Sequence, residues 1–276
     1  MGQNPWNRST TFSNDMPSDI FIKRSNNSII FFSALAALTA GSIVITNYDV
    51  AKGFTSVVKA FIWGASNFYP DSHSLTKLPD IAQKLWETVL MSVASTMTAA
   101  VFATLLALMG SRTTRINRFF GIVARGLASV FRNIPLVAWA MILMLAFSQS
   151  LLTGYLALFF GSLGFLTRAF METMDEASMH AVEALQATGA SYPSIVLQAV
   201  LPSSLPQMIS WVLYMIDTNV RDATLVGLLT GTGIGFTFDM YYKSFQFHDA
   251  SLVVILLVAT VIVIETISNY VRRVII

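Results

Sequence analysis

The chain has 276 residues, 54% of them hydrophobic and only 12% charged, with a mean hydropathy of +0.63, a balance too apolar for an ordinary soluble domain. A net charge of +2 gives no case for nucleic acid as a partner, and the absence of cysteine excludes disulfides, thiolate metal sites and cysteine nucleophiles. His73, His180 and His248 are too scattered to form a metal-ligand set, so neither a metal nor a cofactor is expected.

A helix needs about 20 apolar residues to cross a bilayer, and the sequence holds such runs but no series of alternating ten-residue strands. The expected fold is therefore all-α and polytopic, with about six transmembrane helices. Residues 1–27 are rich in Asn and Ser and end near Lys23-Arg24, which makes them a cytoplasmic N-terminal tail. The apolar run from Ser28 to Thr46 is long for a signal peptide and reads as an uncleaved first span. From Asn47 to Lys84, Lys52, Lys59, Trp63, Phe68 and Tyr69 interleave with apolar residues, as in an amphipathic helix at the outer interface. Its four lysines run against the positive-inside tendency.

The core is expected over 85–273. Its first span, Leu85 to Met109, carries Ser92, Ser95, Thr96 and Thr98 and so suits close helix packing. Arg112, Arg115 and Arg118 follow on the cytoplasmic side. Ile116 to Phe147 is longer than a bilayer requires and contains Arg125, Arg132 and Pro135, which predicts an interfacial first part and a kink near Pro135. Arg125 is expected to snorkel to the headgroups. Leu151 to Phe170 is the fourth span, closed by Arg168, and a polar cytoplasmic loop occupies about 172–200. Leu201 to Val220 and Ala250 to Tyr270 complete the six, with Arg272-Arg273 behind the last. This arrangement leaves both termini in the cytoplasm.

Within the polar loop stands Glu183-Ala184-Leu185-Gln186-Ala187-Thr188-Gly189, then nine residues, Ala199-Val200 and Leu201-Pro202. It reads as a short helix, a sharp break at Gly189 and a new helix start at Pro202, with Ala184, Leu185 and Ala187 as a small apolar docking face. The pattern resembles the EAA loop of ABC-importer permeases: Glu183, Ala184, Gly189, Leu201 and Pro202 match in register, while Leu185 and Ala199 replace other apolar residues. Farther on, Asn219-Val220-Arg221, Ala223-Thr224, Gly231-Thr232-Gly233-Ile234-Gly235 and Ser244-Phe245-Gln246-Phe247 follow in an order similar to the phosphonate-type branch of these permeases. The two resemblances span roughly 85–273.

The resemblance implies a type I ABC-importer permease fold in a bacterial inner membrane. It implies as partners a second copy of the permease, two cytoplasmic ATP-binding subunits and an extracytoplasmic binding protein. Glu183, Ala184, Leu185, Ala187, Gly189 and Ala190 would couple to the ATPase. The cargo would be a small phosphorus oxyanion: phosphonate, phosphite and hypophosphite all fit, as would another small solute such as an amino acid in a different branch. The chain has no phosphate-binding loop, so ATP hydrolysis would lie on a separate subunit and the chain itself is no enzyme. The rival class is an ion-coupled secondary transporter using Asp217, Arg221 and Glu265, but the internal inverted repeats expected of one are missing.

Ionisable groups in a span are usually paired, cavity-facing or functional. Arg132 has no partner near it in sequence and is assigned to the translocation pathway with Asn219, Arg221 and Thr224. Asp217 and Arg221 stand one helical turn apart, so a structural ion pair is the competing reading for Arg221. Pro135, Gly227, Gly231, Gly233 and Gly235 are read as gate and hinge positions with irregular backbone facing a cavity, against close helix packing as the plainer alternative. The charge distribution makes a direct test possible in this cysteine-free chain. Asp71→Cys should be labelled from outside by an impermeant thiol reagent and Ser178→Cys should not; outside labelling at 178 would overturn the topology.

Overall fold

A computed structural model describes residues 18–115 and 117–275, all helix and connecting turn with no strand among them. Most of the tail expected over 1–27 lies outside the described residues, as does Ile116. Two compact units divide near Gly64. The N-terminal unit holds α1 (Ser18–Ile45) and most of α2 (Val50–Asn67). Asn47 turns the chain between them with φ +50°, and the Asp49 carboxylate accepts from Lys52 N at 3.0 Å to cap α2. The large apolar side chains of α1, among them Ile29, Phe31 and Phe32, are exposed, as suits a helix whose surroundings are lipid.

The second unit begins with a 3-10 turn (Ser74–Lys77) that leads directly into α3 (Leu78–Gly110). Seven residues assigned to the interfacial segment, 78–84, thus belong to the core span. Among the described residues, five segments are long and apolar enough to cross a membrane: Asn27–Ile45, Ser74–Gly110, Leu151–Ala177, Tyr192–Thr230 and Phe247–Ile275. α4 (Arg118–Asn133) and α5 (Leu136–Phe147) make a sixth if taken together, bent by 94°. The cause is Pro135, whose ring drives Ile134 out of helical geometry to φ −86°, ψ 119°. The expected kink is therefore a full break.

α6 (Leu151–Ala187) is one uninterrupted helix of 37 residues. It absorbs both the fourth span and the stretch read from sequence as a separate short helix at Glu183. After α7 (Tyr192–Ile195) comes a π turn (Val196–Val200), then α8 (Leu201–Thr230). These form one continuous path, so Pro202 lies inside a helix and does not begin one. Pro202 has no N–H and its ring crowds the carbonyl four residues back. The wide turn just before it, closed by Leu201 N to Val196 O, accommodates that loss. α9 (Gly233–Lys243) and α10 (Phe247–Ile275) complete the chain.

α3, α6 and α8 form the centre. Ala99, Ala103 and Ala107 of α3, spaced by four, are fully buried against Leu163, Leu166 and Phe170 of α6 and Met208 and Met215 of α8. Without a hydrophobic drive between helices in lipid, such small residues gain dispersion contact by letting backbones approach. Glycine carries this furthest at two places. A Cβ on Gly164 would strike the backbone of Phe131 and Arg132, so α6 meets α4 there. A Cβ on Gly235 would strike the Thr224 carbonyl, so α9 lies directly on α8. Gly235→Ala must separate those two helices and should cost about 1–3 kcal/mol. Thermal unfolding in detergent checks this, with Gly126→Ala, which meets nothing within 4 Å, as the control expected to hold its melting point.

Candidate functional site

The end of α6 is shaped by a helix stop. Thr188 closes the helix and Gly189 turns left-handed at φ +76°. Gly189 N donates to Gln186 O at 3.0 Å and Ala190 N to Leu185 O at 3.1 Å, the paired bonds of a Schellman cap. A β-carbon at Gly189 would meet open space, so only the backbone angle demands glycine. The cap sorts the residues assigned to coupling into two sets. Glu183, Ala184, Ala187 and Gly189 are exposed. Leu185 and Ala190 are half-buried and pack on the core beside Val182 and Ile195, so they anchor the end of the helix and are not part of its outer face.

The residues assigned to a passage do not share one environment. Asn219 is 1% exposed. Its Nδ2 donates to Thr96 Oγ1 at 2.7 Å and Ser162 Oγ at 2.6 Å, and Ser92 Oγ donates to its carbonyl at 3.1 Å. It is a bolt between α3, α6 and α8 with no surface left for a solute, and the pathway assignment is corrected accordingly. Thr224 Oγ1 is buried without a hydrogen-bond partner, and its backbone carbonyl faces Gly235. Arg221 donates from Nη2 to Asp217 Oδ2 at 2.8 Å, while about half of its side chain remains exposed and the buried Asp217 Oδ1 has no partner. The helical-turn ion pair is therefore formed and still leaves a guanidinium edge free. Arg132 is exposed at the last turn of α4 and borders a cavity with Arg125 and Arg168, apart from the Arg221 pair.

The glycine run is ordered. α8 stays helical through Gly227 to Thr230, Gly231 caps it in the left-handed region at φ +67°, and α9 starts at Gly233. Irregular backbone is confined to the turn at Gly231-Thr232. Gly227 is glycine because a Cβ would come within 2.5 Å of Thr232 O, the close-packing reading of the sequence. Gly233, at φ +63°, leaves room for Thr88 Oγ1, which accepts from Ile234 N at 2.9 Å and so takes up a free amide at the start of α9.

Two polar links escaped the sequence reading. Asp175 Oδ1 accepts from Ser111 Oγ at 2.6 Å, Arg112 N at 2.7 Å and Thr113 N at 3.2 Å, which ties the turn after α3 to α6. Arg125 donates through Nε and Nη2 to Gly110 O at 3.1 and 2.8 Å, which caps the C-terminus of α3 where snorkelling was expected. Neither carries a local signal, since the partners lie 15 to 64 residues away.

Residues 99–276 match the family described as binding-protein-dependent transport system inner membrane component. The chain is 30% identical over 189 residues to the phosphite transport system permease protein PtxC of Stutzerimonas stutzeri, covering 68% of this chain and 69% of that protein. It is 29% identical over 188 residues to the phosphate-import permease protein PhnE of Mycolicibacterium smegmatis, covering 68% of this chain and 35% of that one. The putative cryptic phosphonate transport system permease protein PhnE2 of Escherichia coli is 35% identical over 118 residues, 43% of this chain and 97% of its own length. Among solved structures, the inward-facing MetNI methionine ABC transporter matches with a TM-score of 0.64 at 22% identity, over 71% of this chain and 96% of that one.

The Asn219 bolt has a measurable consequence. Asn219→Ala removes two interhelical bonds and strands Ser162 in the core, while Thr96 keeps its bond to Ser92 O, and should lower stability by about 1–3 kcal/mol. A drop in detergent melting temperature checks it, whereas an unchanged melting point with altered uptake would return Asn219 to the passage.

Proposed function

The chain belongs to the inner-membrane component family of binding-protein-dependent transport systems, and from that premise we propose that it carries a small phosphorus oxyanion into the cytoplasm. It is a multi-pass permease subunit of an ABC importer. The substrate class is supported by relatives named for phosphite, phosphate and phosphonate transport, and by two arginines with free guanidinium edges, Arg132 and Arg221. A guanidinium fork matches the oxygens of a tetrahedral oxyanion bidentately. The Asp217 pair would offset part of the attraction at Arg221, which favours passage over trapping: an unscreened pair 4 Å apart is worth about 4 kcal/mol at a surface-like dielectric.

The working assembly in this reading is two copies of this chain, two cytoplasmic ATP-binding subunits and an extracytoplasmic binding protein in a bacterial inner membrane. Both chain termini would lie in the cytoplasm. The observation that carries the mechanism is the exposed, Schellman-capped end of α6. Glu183, Ala184, Ala187 and Gly189 would sit in a groove of the ATPase. α6 is a single helix about 55 Å long at 1.5 Å per residue, so a push at its cytoplasmic end reaches the packed centre without a hinge between. Closure of the ATPase pair on ATP would then switch the permease by rigid-body movement, with Pro135 and the Gly231-Thr232 turn as the places where helices end and angles can change.

Glu183→Lys should leave the permease in the membrane, abolish co-purification of the ATPase and stop uptake of labelled phosphite or phosphate. Gly189→Asp should do the same and also loosen the cap. Leu185→Ala should act differently, by lowering stability. Normal uptake by both Glu183→Lys and Gly189→Asp would overturn the docking assignment, and wild-type uptake that phosphorus oxyanions fail to compete would overturn the substrate class.

A further inference from the structure

α4 places Arg125, Ser129 and Arg132 on one face by intervals of four and three residues. Gly164 lets α6 approach the backbone of Phe131 and Arg132, and this brings Arg168 to the same side. Together with Ala128 and Asn133 these residues line a cavity of about 90 Å³. Three guanidinium groups border it against one neighbouring carboxylate, Glu172, which accepts from Arg168 Nε at 2.5 Å. Arg125 directs Nε and Nη2 to Gly110 O, which leaves its Nη1 uncommitted. Arg132 makes no hydrogen bond or ion pair among the described residues. Asn133 Nδ2 donates to Ser129 O at 2.8 Å and to Ser129 Oγ at 3.2 Å, so the Ser129 hydroxyl proton is free to donate. A pocket with several donors, two positive charges in excess and only the Asn133 amide oxygen as an uncommitted neutral acceptor is complementary to an anion.

We propose that this cavity binds a phosphate-type oxyanion, with Arg132 as the principal bidentate donor and Arg125, Arg168 and Ser129 completing the set. Fixing Arg125 on the α3 terminus and Arg168 on Glu172 places two cations in advance, so binding needs only Arg132 to become ordered. The same chemistry has two sources. One is a free oxyanion on its way through the permease, and that form rests on the importer reading above. The other is the phosphate of an anionic lipid headgroup. α4 exposes Phe119, Ile122 and Val130 along its length, as a helix at a bilayer surface does, so a headgroup would lie within reach.

The test uses the full-length permease in phosphatidylcholine nanodiscs, titrated with inorganic phosphate, and in parallel nanodiscs containing phosphatidylglycerol, with thermal unfolding as the readout. Wild type should be stabilised by one of the two probes. Arg132→Gln should weaken that response about 10- to 100-fold in apparent affinity, the loss expected for hydrogen bonds to a charged group. Arg132→Lys should retain part of it, since the charge stays and the fork is lost. Ser129→Ala, which changes no charge, gives a smaller loss in the same direction if Arg132→Gln does not fold. Stabilisation by phosphate identifies a free-anion site, and stabilisation by phosphatidylglycerol alone identifies a headgroup site. If neither probe separates wild type from the variants, the cavity binds no oxyanion. Intact phosphate binding with no uptake of phosphorus oxyanions would retain this site and reject the substrate proposal.

Discussion

Inside a bilayer a polar side chain has no water to bond to, and the three-way contact at Asn219 is built under that constraint. Its amide joins Thr96 on α3 to Ser162 on α6, while Ser92 reaches across to its carbonyl. Interhelical bonds of this kind average only about 0.6 kcal/mol in membranes, so their effect is less to hold the helices together than to select one register among many of similar packing energy. The alanine ladder Ala99-Ala103-Ala107 would allow α3 to slide along α6 by one turn at little cost in contact. Asn219 would then lose its partners, and the slide becomes unfavourable.

With that register set, the close approaches elsewhere follow. Gly164 admits α4 against α6, and Gly235 admits α9 against α8; each works only if the facing backbone lies at one height. Asp175 and Arg125 lock one end of the bundle, one through the turn after α3 and the other through the last carbonyl of α3 itself. At the opposite end Lys77 bonds Asp249 at 2.5 Å and lies 4.9 Å from the centre of the Tyr241 ring, so α3 and α10 begin, and α9 ends, at one polar knot. The bundle is pinned at both ends and at its middle, while α6 continues beyond it to carry Glu183 outward.

The arginines divide by what surrounds them. Arg125 and Arg168 are engaged by groups one helical turn or one helix away, and Arg221 by Asp217 on its own helix. Arg132 alone among these four has its guanidinium uncommitted. It sits at the end of α4, where the negative end of the helix dipole favours a cation and the break before Pro135 leaves the helix no further turn to cover it. The same proline that ends α4 therefore leaves this charge accessible.

The amino-acid sequence alone determined the bilayer setting, the helical class, a change of direction near Pro135 and the existence of a glycine-dependent stop at Gly189, because these depend on composition and on what single residues do to their own backbone. It also exposed the family resemblance through ordered motifs. Element lengths were less legible: 78–84 reads as part of an interfacial segment and 172–187 as part of a polar loop, yet both continue spans as helix, since tertiary packing and one satisfied turn after another outweigh composition. Side-chain roles at long range were decided only by the fold. Asn219 stands near Arg221 in a motif and reads as a pathway residue, but each step along a helix turns a side chain by about 100°, and the two steps between them lead from an open edge to a buried junction of three helices. Leu185 and Ala184 part company for the same reason, one facing the core and the other outward. The glycines read as a flexible gate because sequence shows their freedom but not the Thr224 and Thr232 carbonyls that press against them.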